Sequence, residues 1–379
     1  MRNNPVIQDD SCSWGFRLFF KQTTFRSKST ESYFPKRVRK FPLKPLISAT
    51  NKPMKLHYEH WSSNPTPATN PLSSIGVTEV DEKKPANNGC TSDNTSSHAL
   101  PVLMTSPRKI TLLHGLGGTG KLWRPLAIAL EPEFDCIAVD QRGHGKSQVR
   151  ATPSPLDQGS ISYTPQTFGQ DLIETLETVS HFPSILVGHS MGVRTAIAAA
   201  HLKPDFFSAL VLIDLGFDGP AGGGLGSTLA SFLAVLPLEF EKRSDLKNHL
   251  ERHCPDPAIA QYLIAVSTPI GSLPNNLKTV EKFDGPYGFP FDRDALIQTI
   301  RASTAMPTRE YLRQWGKCDK PAYILRGEKS SVWTHEEFLT EQTFFSEFAH
   351  FHFIEWSQCG HGLPFEKKKE LAMLIKSIR

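Results

Sequence analysis

Apolar side chains in this chain fall into short, nearly unbroken runs separated by stretches with a longer period. Residues 110–113, 136–139, 185–187, 209–213 and 322–325 are such runs, the pattern of strands buried on both faces. Residues 351–355 predict a further strand, and 54–61 alternate apolar and polar as a half-buried first strand would. Between runs the period lengthens. Phe168, Leu172, Leu176 and Val179 form a helical stripe, with Thr164 placed to cap it and Pro165 at its first position. An alanine-rich helix is expected from 191 to near His201 and Pro204, and Leu371, Leu374, Ile375 and Ile378 mark a last amphipathic one. Strands alternating with helices predict an α/β architecture.

Two stretches break this rhythm. Residues 62–106 are rich in Asn, Ser, Thr and Pro and read as a flexible insertion. Residues 215–320 are too long for one helical crossover. They begin with a glycine-rich hinge at 219–226 and then predict helical pieces at 228–235, 246–253, 258–266, 294–302 and 309–315. The expected plan is a basic, disordered extension (1–53), a core in two parts (54–215 and 319–379) and a helical cap (216–318). Phe232, Leu236, Phe240, Tyr262, Phe289 and Phe291 are candidates for an apolar channel under the cap, with packing inside the cap as the alternative for each.

Composition narrows the class. A chain of 379 residues with 39% hydrophobic side chains builds a substantial core, and it has no run of 18 apolar residues, so no membrane span is expected. Residues 1–53 hold eleven Lys/Arg against three Asp/Glu, a local charge of +8 that leaves −4 of the net +4 for the rest. The slightly acidic remainder gives no reason to expect nucleic acid. Six dispersed cysteines without a C-x-x-C imply neither a disulfide framework nor a zinc site and suit a reducing compartment. A cytoplasmic location is expected. The alternative is mitochondrial, should the basic N-terminus be a presequence, against which Asp9 and Asp10 count.

The chemistry centres on Gly188-His189-Ser190-Met191-Gly192, a G-x-S-x-G between an apolar run and a helix. The two glycines permit a turn so tight that Ser190 is held strained with its Oγ exposed. Upstream, Gly115-Leu116-Gly117-Gly118-Thr119-Gly120-Lys121 satisfies a G-x-G-x-x-G with Asp140 twenty residues on, a dinucleotide fingerprint on paper. It also approaches a P-loop, but Leu122 stands where Ser or Thr should hold magnesium. A third reading makes 114–118 a loop whose N–H groups form half of an oxyanion hole.

Asp140-Gln141-Arg142-Gly143-His144-Gly145-Lys146-Ser147 decides among them. With the His-Gly loop and the serine turn it resembles the α/β-hydrolase superfamily over 108–214, resuming near 321. The resemblance implies a mostly parallel eight-stranded sheet flanked by helices, with a cap inserted after the sixth strand. It also implies structural roles for Asp140, Arg142 and His144, and no cofactor or metal. His361, in Cys359-Gly360-His361-Gly362, matches the superfamily's general base. The acid of most members follows the seventh strand, where this chain has Ser330 and Ser331. Asp214, ending the sixth strand, resembles the acid of a subgroup of small acyl esterases, with Glu328 and Asp218 in reserve. His189 is expected to be a wall, and His352 structural.

The resemblance therefore implies a Ser190–Asp214–His361 relay, with the Leu116 and Met191 N–H groups as oxyanion donors, acting on a small to medium acyl ester or thioester. Carbon–carbon bond hydrolysis, haloperoxidase chemistry and a non-catalytic receptor on the same scaffold stay open. Oligomeric state is not legible.

Overall fold

A computed structural model describes residues 53–62, 106–148, 162–217, 225–270 and 285–379. The expected 1–53 extension, the 62–106 insertion and the 219–226 hinge lie almost wholly outside the described residues, and Asp218 outside them entirely.

The first part of the chain forms β1 (Tyr58–Trp61), β2 (Arg108–Leu113), α1 (Arg124–Leu130), β3 (Phe134–Val139), α2 (Pro165–Val179), β4 (Ser184–His189), α3 (Met191–Leu202) and β5 (Phe207–Ile213). The long segment after β5 contributes α4 (Leu225–Val235), β6 (Glu239–Phe240), α5 (Arg243–His253), α6 (Pro257–Val266), β7 (Thr268–Pro269), β8 (Tyr287–Gly288), α7 (Arg293–Ala302) and α8 (Thr308–Gly316). The chain closes with β9 (Ala322–Gly327), α9 (His335–Phe344), β10 (Phe351–Trp356), α10 (Leu363–Glu366) and α11 (Lys368–Ser377).

This is an α/β-hydrolase fold. Its main sheet runs β1-β3-β2-β4-β5-β9-β10, parallel except for β1. Seven strands are present among the described residues where eight were expected, because a single antiparallel strand precedes the parallel run. That first strand is also shorter than its alternation suggests. The Met54, Leu56 and His57 N–H groups go to Asp171 Oδ1 (2.7 Å), Thr175 Oγ1 (2.9 Å) and Ser147 Oγ (2.8 Å), so pairing with β3 starts only at Tyr58.

Alternate strand residues face opposite helical layers. Leu113, Ile137, Leu186, Leu210 and Ile324 pack with α2, α3, α8 and α9. Leu112, Cys136, Val187, Val211 and Leu325 pack with α1 and α11. Helix α2 begins where its capping signal stands: Thr164 Oγ1 accepts the Thr167 N–H at 3.3 Å, with Pro165 next.

The inserted segment has its own apolar cluster, built from α4 to α7 around the small β6-β8-β7 sheet. Its last helix behaves differently: Leu312 and Trp315 of α8 join the cluster on the main sheet. The segment is sewn to the core by backbone bonds, Gly145 N–H to Pro290 O (2.6 Å) and Asp292 N–H to Gly143 O (2.8 Å). Among the described residues no helix is long and apolar enough to cross a membrane.

Candidate active site

Ser190 sits between β4 and α3 with φ 52° and ψ −120°, a backbone conformation that costs a non-glycine residue of order 1–3 kcal/mol. Its neighbours make the turn possible. A Cβ on Gly188 would run into the Gly192 backbone, and one on Gly192 would lie 2.7 Å from Leu113 O. The turn is held by Ser190 N–H to Ile213 O (2.9 Å) and Val193 N–H to Ser190 O (2.8 Å).

The structure brings three predicted residues together from the ends of three strands. His361 Nε2 lies 3.1 Å from Ser190 Oγ, and His361 Nδ1 lies 2.7 Å from Asp214 Oδ2. A carboxylate only accepts, so Nδ1 carries the proton and Nε2 is left to accept from the serine hydroxyl. Asp214 is wholly buried, and every oxygen is satisfied: Oδ1 accepts the Gly327 N–H (3.0 Å), and Oδ2 also accepts the Ser330 hydroxyl (2.6 Å). Glu328 does not approach the imidazole. It is exposed, and its Oε2 accepts the Gln358 N–H at 2.8 Å.

Leu116 and Met191 line the same cavity as Ser190. Met191 opens α3, so its N–H is among those a helix leaves without an intrahelical acceptor. Leu116 lies in a turn closed by Gly118 N–H to Gly115 O (3.0 Å). Two buried histidines brace that turn. His114 Nε2 accepts the Gln141 N–H (3.0 Å), and His144 Nε2 accepts the Gly117 N–H (3.0 Å). Burial holds both neutral, lowering His114 and pushing His144 down to about 3.

Gln141 completes the brace, giving its amide N–H to His114 O (2.6 Å) and accepting from Thr195 Oγ1 (2.7 Å). Its only signal in the sequence was its place inside the Asp-Gln-Arg-Gly motif. Arg142 forms a buried bidentate pair with Asp171, both contacts 2.7 Å. Asp140 Oδ1 accepts the Gly120 N–H (2.8 Å), so the apparent dinucleotide fingerprint closes on itself.

His189 is a wall with a second duty. It is buried, its Nε2–H donates to His361 O (2.9 Å), and burial pushes its pKa down to about 3. It is therefore uncharged at neutral pH. His352 lies on β10 stacked on Tyr323, away from the relay.

The cavity before Ser190 holds about 1270 Å³ including its open mouth. Of the six channel candidates only Tyr262 lines it. The other five belong to the apolar cluster of the inserted segment.

A family model described as the alpha/beta hydrolase family matches residues 112–374. The chain is 36% identical over 101 residues to a 2-(acetamidomethylene)succinate hydrolase of Mesorhizobium japonicum, covering 27% of this chain and 33% of that protein. It is 35% identical over 129 residues to the sn-1-specific diacylglycerol lipase ABHD11 of Mus musculus, covering 34% of this chain and 38% of that protein. The matches thus span little more than a third of either relative. A solved structure of E-2-(acetamidomethylene)succinate hydrolase superposes with a TM-score of 0.55 at 23% identity, over 72% of this chain and 91% of that one, a likeness of fold.

Proposed function

Because this chain belongs to the alpha/beta hydrolase family and is a hydrolase of that fold, we propose that it cleaves carboxylic esters or thioesters through a serine relay. The observation that carries the reading is the pair of contacts at His361, 3.1 Å to Ser190 and 2.7 Å to a buried Asp214. In this reading His361 Nε2 takes the Ser190 proton as Oγ bonds to the acyl carbon. The carbonyl electron pair moves onto oxygen, which the Met191 and Leu116 N–H groups receive. Collapse of that intermediate breaks the bond to the leaving oxygen or sulfur, which departs with the proton from His361. Water then repeats the sequence on the acyl-serine: His361 takes its proton, hydroxide bonds to the acyl carbon, and the proton returns to Ser190 as the acid leaves.

Asp214 fixes the Nδ1–H tautomer throughout and stabilises the transient imidazolium. Helices α4, α6 and α7, within the cap segment 216–318, roof the serine over the two-part core of 54–215 and 319–379. The described cysteines, Cys136, Cys254, Cys318 and Cys359, are free thiols.

The test is labelling by a fluorophosphonate together with turnover of p-nitrophenyl esters. Wild-type protein is expected to label on Ser190 and to turn over, while a folded Ser190→Ala variant loses both, its kcat falling by about four orders of magnitude or more. Undiminished turnover by that variant would overturn the reading.

A further inference from the structure

The cavity that opens on Ser190 has two chemically different ends. Along α3 it passes Met191 and reaches Arg194 and Thr195, a full helical turn or about 6 Å beyond the serine. The walls of this arm are aliphatic: Leu229 and Leu233 from α4, Leu263 from α6, and Leu296 and Ile300 from α7.

Polar side chains near its closed end are committed to the protein. Thr299 Oγ1–H donates to Ala295 O (2.8 Å), Ser303 Oγ–H to Ile300 O (2.7 Å), and Thr195 Oγ1–H to Gln141 Oε1 (2.7 Å). The Arg194 guanidinium donates to the carbonyls of Ser303 and Gly216. A polar ligand group set against Thr195, Thr299 or Ser303 would displace these bonds or go unsatisfied, whereas an apolar chain packed on the aliphatic walls displaces none of them.

The opposite end is polar. Asp256 and Ser331 border the cavity together with His361 and Gly362, and Ser331 Oγ–H donates to Asp256 Oδ2 at 3.2 Å. A leaving group must lie on the His361 side to receive its proton, which assigns the aliphatic arm to the acyl chain.

Resting on the hydrolase reading above, we propose that the arm along α3 is an acyl site for an unbranched apolar chain of about four to six carbons, given about 1.3 Å of advance per carbon of an extended chain and a depth of about 6 Å. Ile300, on the α7 wall, sets the chain length it accepts. The substrate class is a short-chain acyl ester or thioester.

The experiment is a p-nitrophenyl ester series from acetyl to dodecanoyl on the wild-type protein and on Ile300→Phe and Ile300→Ala. Wild-type kcat/KM is expected to climb about three- to fourfold per CH2, the worth of burying a methylene, until the arm is full. Ile300→Phe should lower the octanoyl-to-butanoyl ratio by about tenfold or more, and Ile300→Ala should raise it. A ratio taken within one preparation is independent of the fraction folded. A wild-type preference for acetyl falling steadily to hexanoyl, or the same ratio in all three proteins, would overturn the assignment. Absence of all ester turnover, with no fluorophosphonate labelling of Ser190, would instead sink the hydrolase reading and this inference with it.

Discussion

Ser330 and His361 donate to the same oxygen of Asp214, at 2.6 and 2.7 Å, from the loops that follow two adjacent strands, β9 and β10. A serine hydroxyl thus stands where most members of the fold are expected to carry the acid, and it serves a carboxylate supplied by β5. The carboxylate has moved one strand along the sheet without leaving the imidazole.

This arrangement separates three variants. Asp214→Asn should lower kcat by about 10⁴, since the amide no longer favours the productive tautomer. Ser330→Ala removes one hydrogen bond to a charged acceptor, worth about 1.5–3 kcal/mol, and should cost about ten- to a hundredfold in kcat with KM little changed. Glu328→Gln should leave kcat at the wild-type value. Steady-state kinetics on one ester checks all three, and a Glu328→Gln loss matching that of Asp214→Asn would refute the assignment of the acid.

His189 ties the nucleophile strand to the loop of the base through its bond to His361 O. Replacement by Phe keeps the bulk and removes the donor. The expected result is a fall in kcat of about tenfold, with stability reduced by about 1 kcal/mol, the worth of one hydrogen bond. A variant that loses stability but retains full kcat would show His189 to be packing alone.

Gly192 has no room for a methyl group, whose carbon would lie 2.7 Å from Leu113 O and 3.0 Å from His114 O. They are backbone atoms at the end of β2 and the start of the loop that carries Leu116, so relief of the clash displaces that loop. Gly192→Ala should destabilise the fold by about 1–3 kcal/mol and depress kcat more than KM. Chemical denaturation and kinetics on the same preparation would check both halves.

Stability should fall as pH drops below neutrality. Burial lowers His114, pushes His144 and His189 down to about 3 and His181 to about 4, all below the ordinary 6.5. Between those values and 6.5 the unfolded chain binds protons that the native state refuses. Their contribution is therefore intact above pH 6.5 and drains away below it, at up to about 1.4 kcal/mol per pH unit for each histidine. His60 opposes the trend, its pKa raised mainly by the hydrogen bond to Asp135, but it is one half-buried group against four buried ones. Urea midpoints at pH 7 and pH 5 should differ accordingly, and an unchanged or higher midpoint at pH 5 would contradict the argument.

Much of this layout was legible in residue order because its causes are local. The α2 start needed only Thr164 and Pro165, and the serine turn only Gly188 and Gly192 flanking Ser190. The helices of the inserted segment followed from period alone, each found within a few residues of its predicted place. The cavity walls did not. Phe232 and Leu229 occupy the same helix and the same apolar cluster, yet only Leu229 lines the cavity, a difference that helical period alone does not encode.

Chain order alone determined the α/β class and the strained turn at Ser190, which rest on hydrophobic period and backbone sterics, while Asp214 and His361 became candidates through the resemblance of the motifs to the α/β-hydrolase superfamily. Tertiary structure decided that Asp214 rather than Glu328 meets the imidazole, that Ser330, His189 and Gln141 brace the relay, and that the cavity is aliphatic toward α7 and polar toward Asp256. The physical reason is distance along the chain. Asp214 and His361 are 147 residues apart, and a hydrogen bond between such groups is set by how strands align in the sheet, which no local pattern of side chains encodes.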